Sequence, residues 1–225
     1  MKLKFIIPLS ILLHFNIAPV FANDTAAVSK TYYRSALKGI EDMLNGKEPL
    51  SYEKAIYLIE NAYNDNRISP DVFRDVIDYN TDVIQNIAAS NTVKPKEVKS
   101  ESLWDDLRKY RAQEKGYTDK AKLNWAIFTF MTDTTFSIKR DHINYIIHKD
   151  PFRYSTKDPL GTIDWANTQV THLIQYGDGN CFALASLFKI FSERLNSDAD
   201  ICTAPGHLFI THKDDRGTQY NVELS

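Results

Sequence analysis

The residues of this chain best suited to covalent chemistry lie toward its C-terminal end. In GDGNCFALASLFKIFSERL, residues 177–195, a cysteine stands between turn-forming residues and a long apolar run. Asp178, Gly179 and Asn180 are turn and capping types, which puts Cys181 in the first turn of the helix that follows. Unpaired backbone N–H groups and the positive end of the helix dipole favour the thiolate there, and the thiolate is the nucleophilic form. The same amides suit an oxyanion formed when sulfur attacks a carbonyl. Two other readings compete: a disulfide with Cys202, the only other cysteine, and plain packing.

A thiol nucleophile needs an imidazole as base and acid, and a polar group to hold that imidazole's tautomer. The segment ADICTAPGHLFITHKDDRGTQYNVELS alternates with period two around an Asp-Asp-Arg-Gly turn, which predicts strands and a hairpin. Leu208 and Ile210 share one face, and His207, Phe209 and Thr211 the other. On the returning strand Tyr220, Val222 and Leu224 share a face, leaving Asn221 and Glu223 opposite. With the aliphatic residues on the core, His207, Asn221 and Glu223 fall together on the remaining face. His212 follows the phase of Leu208 and Ile210 and is discounted. His142, His148 and His172 are scattered without paired metal-ligand spacing, so no metal or other cofactor is expected. Neither a Gly-rich phosphate loop nor a Gly-x-Ser-x-Gly elbow is present.

The elements that must position these groups begin with three helices in residues 30–89. Tyr33, Leu37, Ile40 and Leu44 recur at helical spacing, and Gly46 ends the first helix. Ser51 is a cap for the second, with Tyr52, Ala55, Ile56, Ile59 and Ala62/Tyr63 as its apolar face. Ser69 caps the third, with Pro70 at its first position and a stripe of Val72, Phe73, Val76, Ile77, Ile84 and Ile87. The polar run 91–102 reads as a linker. Leu103, Trp104, Leu107 and Tyr110 mark one further helix. Leu123, Ile127, Phe128 and Met131 mark another, with Thr118 as its cap. Residues 148–168 read as a loop broken by Pro151, Pro159 and Gly161, and a helix through Val170, Leu173 and Ile174 runs to Gly177. The helix after Cys181 is apolar nearly all round, which predicts a buried rod with the thiol at its exposed tip.

With 225 residues, 43% of them hydrophobic, the chain can bury one good core plus a helical appendage. Its 27 basic and 29 acidic residues form no basic stripe, which argues against a nucleic-acid partner. The N-terminus, MKLKFIIPLSILLHFNIAPVFA, has Lys2 and Lys4 ahead of a short apolar stretch and ends Val-Phe-Ala. That pattern predicts a secretory signal peptide cleaved after Ala22, with an uncleaved membrane anchor as the alternative. Pro8, His14, Asn16 and Pro19 make it a poor membrane span, so no stable membrane insertion is expected after cleavage. The expected location is therefore periplasmic or extracellular.

Three motifs in order then carry a resemblance: Gly179-Asn180-Cys181-Phe182 opening a helix, Pro205-Gly206-His207 leading a strand, and Tyr220-Asn221-Val222-Glu223-Leu224. Together they resemble the transglutaminase-like superfamily of papain-related folds. ALASLFKIFSERL, APGH and the N-terminal GIEDMLNGKEPLSYEKAIYLIENAY are similar to exported transglutaminase-like domain proteins of Bacteroidetes. The resemblance implies an α+β fold, with a helical N-terminal region followed by a core whose nucleophile-bearing helix packs on a short antiparallel sheet. It implies a signal peptide over 1–22, the helical region over 23–92, a linker over 93–102 and a transglutaminase-like domain over 103–225. The family's domains continue with further strands beyond the position of Glu223, so either a minimal or truncated form is expected here, or the third strand is an edge.

By the same resemblance Cys181 is the nucleophile and His207 the base. Glu223 aligns best with the acidic third member, and Asn221, two residues earlier, is its alternative. Gln175 matches the upstream glutamine that supplies an oxyanion donor in papain-like enzymes, or is a solvent-facing helix end. The implied activity is acyl transfer from an amide, with a peptide or protein substrate such as cell-wall peptide, to water or to an amine. The alternative is an inactive domain of this type that binds peptides or proteins. A third reading is a structural module held by a Cys181–Cys202 bridge.

Overall fold

Local sequence decides where the helices begin. In a computed structural model describing residues 25–90, 119–140, 143–213 and 217–224, the first helices are α1 (Thr25–Leu44), α2 (Tyr52–Tyr63) and α3 (Pro70–Ala89). Ser51 accepts from the Lys54 amide at 3.2 Å and Ser69 from the Val72 amide at 3.4 Å, as their capping types predict. The expected signal peptide, the expected linker 93–102, the helix expected around residues 103–110, Thr118 and His142 lie outside the described residues.

Helix α4 (Asp119–Thr132) leads into an antiparallel pair, β1 (Thr135–Arg140) and β2 (Ile143–His148), which the sequence reading did not anticipate. A two-residue strand β3 (Arg153–Tyr154) follows. Next come a 3₁₀ turn (Trp165–Thr168), α5 (Val170–Tyr176), β4 (Asp178–Gly179) and α6 (Cys181–Leu195). Strands β5 (Ala199–Ala204), β6 (His207–Lys213) and β7 (Gln219–Val222) form one antiparallel sheet in chain order. The fold is α+β, with six α-helices among the described residues.

Helix α6 is the centre of the molecule. Leu187, Phe188, Ile190 and Phe191 are wholly buried on it. They belong to one cluster with Ile77, Ile84 and Ile87 of α3, Ile127 and Phe130 of α4, and Ile210 of β6. The N-terminal helices therefore share a core with the sheet instead of forming a separate body. Polar contacts add to this: Ser51 Oγ and the Tyr52 amide both donate to the Glu193 carboxylate, at 2.6 and 2.7 Å, and Arg194 forks onto Glu53.

One apolar stripe does not point inward. Helix α1 buries Ala36 and Met43, whereas Tyr33, Leu37 and Leu44 are exposed. The small residues set this orientation. A Cβ on Gly39 would come within 2.8 Å of Leu58 Cδ1, so α1 approaches α2 along its narrowest face and turns its larger residues outward.

Candidate active site

Cys181 is held by what precedes it. Helix α5 ends on Gly177 in the left-handed region at φ 81°, and the next two residues pair in parallel with β3. The Arg153 amide donates to Gly177 O and the Ser155 amide to Gly179 O, each at 2.8 Å. Asn180, nearly fully buried, then caps α6: its Oδ1 accepts from the Phe182 and Ala183 amides at 3.0 and 3.2 Å. Its own amide donates to Asn167 O at 2.9 Å. Cys181, half-buried, is thus the first residue of a helix whose body is rigidly packed. Sequence reading took GDG only as a turn, and the strand pairing that fixes it comes from a partner 25 residues earlier (Arg153↔Asp178).

The hairpin predicted from alternation is present. Ile210 pairs with Val222, Thr211 with Asn221 and His212 with Tyr220. Residues Pro205–Gly206 turn β5 into β6, with Gly206 at φ 71°, where a glycine is at ease. His207 Nε2 lies 3.0 and 3.1 Å from the two carboxylate oxygens of Glu223, and its ring stacks on Phe209 at 6.4 Å. Asn221 sits opposite Thr211, farther along the strand, and is exposed. The geometry therefore brings Glu223, and not Asn221, to His207. His212 stacks on Tyr220 at 5.3 Å in the phase of Ile210.

Alternation also turns His207 and Glu223 to the face away from Ile210, which packs into the core. At the end of the sheet Gly206, His207 and Leu208 line one cleft of about 270 Å³ together with Cys181. A second cavity, between Cys181 and Glu223, measures about 10 Å³ and holds at most about one water molecule. Only the larger of these two has room for substrate. Among the described residues no hydrogen bond joins Cys181 to His207, whose Nε2 is engaged by Glu223. Both cysteines are free thiols. Cys202 sits opposite Phe209, on the His207 face of the sheet.

Gln175 is exposed on α5 and lines neither cavity. Between it and Cys181 the helix ends on Gly177 and the chain enters β4.

The far wall of the cleft comes from the segment whose sequence predicts only a loop. Pro159, Leu160, Trp165 and Thr168 line it. Asp158 organises the loop, its carboxylate accepting from the amides of Thr162, Ile163 and Asp164 at 3.0, 2.9 and 2.8 Å. These amides hold the carboxyl below the usual range, the Asp164 amide contributing most. Trp165 packs on Tyr63 of α2 with ring centroids 4.5 Å apart, tying the wall to the N-terminal helices. The signal in the sequence was an aspartate four residues before a Thr-Ile-Asp run, a local carboxylate-to-amide pattern.

Helix α5 has no cap of its own. Glu60 of α2, 2% exposed, supplies one, accepting from the Val170 amide at 2.6 Å and from the Thr171 amide and hydroxyl at 2.9 and 2.7 Å. Burial pushes its carboxyl above the ordinary value, opposed by those hydrogen bonds.

Comparison of the chain with protein-family models, curated proteins and solved structures finds no match.

Proposed function

We propose that this protein is an exported, cysteine-dependent acyl-transfer enzyme acting on amides of peptides or proteins. The observation that carries the reading is the His207–Glu223 pair, 3.0 Å apart, at the rim of the cleft that His207 shares with Cys181. A carboxylate on Nε2 orients the imidazole and leaves Nδ1 to exchange protons with the thiol and the leaving group.

In the proposed cycle the Cys181 thiolate attacks the amide carbonyl carbon, forming the C–S bond, and the carbonyl electrons move to oxygen. Collapse of that intermediate breaks the C–N bond as His207 passes its proton to the departing amine. Water or a second amine then attacks the thioester, gives a proton to His207 and releases the thiolate. The signal-peptide pattern expected over residues 1–22 supports a location outside the cytoplasm, and the resemblance to transglutaminase-like proteins supports both the residue roles and their chain order.

One experiment tests the reading. The purified protein is treated with iodoacetamide at neutral pH without reductant, and each cysteine's labelling rate is followed by mass spectrometry. Cys181 should label at least ~10-fold faster than a model thiol, and His207→Ala should remove the advantage. Labelling at the model-thiol rate, unchanged in His207→Ala, would instead favour a peptide-binding domain. The separation of thiol and imidazole without a direct bond is the observation on that side.

A further inference from the structure

The cleft beside Cys181 has a chemical character of its own. Away from the thiol and imidazole, its lining is largely apolar: Pro159, Leu160, Trp165, Phe182 and Leu208. Leu160 is 67% exposed and Phe182 37%, and Ile163, 86% exposed, lies on the same loop. Large apolar side chains left open to water around a concavity mark a surface that something else covers. We propose that this cleft is the recognition subsite of the enzyme, and that it takes a large, uncharged apolar side chain of the acyl-donor residue. The proposal rests on the acyl-transfer reading of Cys181.

Three observations carry it. The first is size. An apolar cavity of about 150 Å³ suffices for benzene, so about 270 Å³ accommodates a phenylalanine or leucine side chain with part of its backbone. The second is placement, because Cys181 and His207 line the same cleft. A side chain seated there lies next to the carbonyl that the sulfur would attack. The third is preorganisation. Gly161 lies at φ 64°, and a Cβ there would stand 2.3 Å from Thr168 Cγ2 and 3.6 Å from Asn180 Nδ2. The loop is thus folded tightly against the cap of the nucleophile helix, and Asp158 and Trp165 fix it from either end. A wall held this way loses little entropy on binding.

Charge is not what the subsite reads. The Asp158 carboxylate, which organises this wall, is already engaged by three backbone amides.

The test uses irreversible probes that carry the recognised side chain. N-acetyl-phenylalanine chloromethyl ketone, its glycine counterpart and its aspartate counterpart are compared on the purified protein, each forming a C–S bond at Cys181 with loss of chloride. The phenylalanine probe should label Cys181 at least ~10-fold faster than the glycine probe, with the aspartate probe no faster than glycine. Leu160→Asp should bring the phenylalanine-to-glycine ratio down toward one. Leu160 is exposed, so this change spares the core, and a ratio cancels any general change in thiol reactivity. Equal rates for all three probes on a protein whose Cys181 still reacts rapidly with iodoacetamide overturn the subsite and leave the enzyme reading standing. Slow reaction with iodoacetamide as well overturns the enzyme reading itself.

Discussion

Asn180 performs two tasks that substitution can separate. Its side chain accepts from two amides at the start of α6, and its position next to Cys181 sets the charge beside the thiol. Asn180→Ala removes the acceptor. Loss of a helix cap costs about 0.5–2 kcal/mol. The buried Ala183 amide left without a partner can add about 1 kcal/mol or more. A total loss of about 1.5–3 kcal/mol follows, which shifts a urea midpoint by roughly 1 M for a protein of this class. Asn180→Asp keeps an equally good cap but adds a negative charge next to the sulfur. About 1 kcal/mol of repulsion between that charge and the attacking sulfur slows labelling about fivefold. The assay pairs urea unfolding with iodoacetamide labelling of Cys181 on the three proteins. The alanine variant should lose stability, while the aspartate variant, whose carboxylate is itself nearly fully buried, should label more slowly. An alanine variant within about 0.5 kcal/mol of the parent, or an aspartate variant that labels as fast, refutes the capping and charge argument.

Two further outcomes are expected. Gly161→Ala places a methyl 2.3 Å from Thr168 Cγ2 at a left-handed φ, so the loop must move. Stability should fall by about 2–4 kcal/mol and the 162–164 amides should lose hydrogen-exchange protection, whereas unchanged exchange there would show that the loop is not pinned by this contact. Lys149, beneath the rings of Phe130 and Phe152 at 4.9 and 4.3 Å, is pushed down to about 8 by burial. Between that value and an unfolded value of about 10.4 the unfolded chain holds more protons, so stability gains with pH across this window. The charged lysine therefore costs the fold roughly 3 kcal/mol at pH 7 as an upper figure, and Lys149→Met should be more stable there. The difference between the two proteins should shrink from pH 8 to pH 10, and a difference that is flat with pH would sink the explanation.

Much of the scaffold was legible in the sequence because its signals are local. Ser51, Ser69 and Pro70 start helices through bonds within one turn, and Gly177 ends α5 through its own backbone freedom. The C-terminal hairpin was legible because strand side chains alternate. Other features depend on distant partners. The β1–β2 pair and the β3–β4 pairing were missed, the latter because two-residue strands leave no periodic trace. The outward stripe of α1 was missed because a close approach through Gly39 outweighs the count of large apolar residues.

The sequence by itself determined which groups could do chemistry. Cys181 at the tip of an apolar helix, and His207 and Glu223 in one strand phase, all follow from local rules of capping and alternation. Tertiary structure decided among them. Strand register put Glu223, and not Asn221, on the imidazole, and the turn at Gly177 left Gln175 facing solvent. Folding also made the cleft. Its far wall comes from a loop pinned by backbone amides on Asp158 and by Trp165 against Tyr63. Contacts between residues about a hundred positions apart leave no pattern in a single sequence, because their cause is the shape of the packed molecule and not the chain's local preferences.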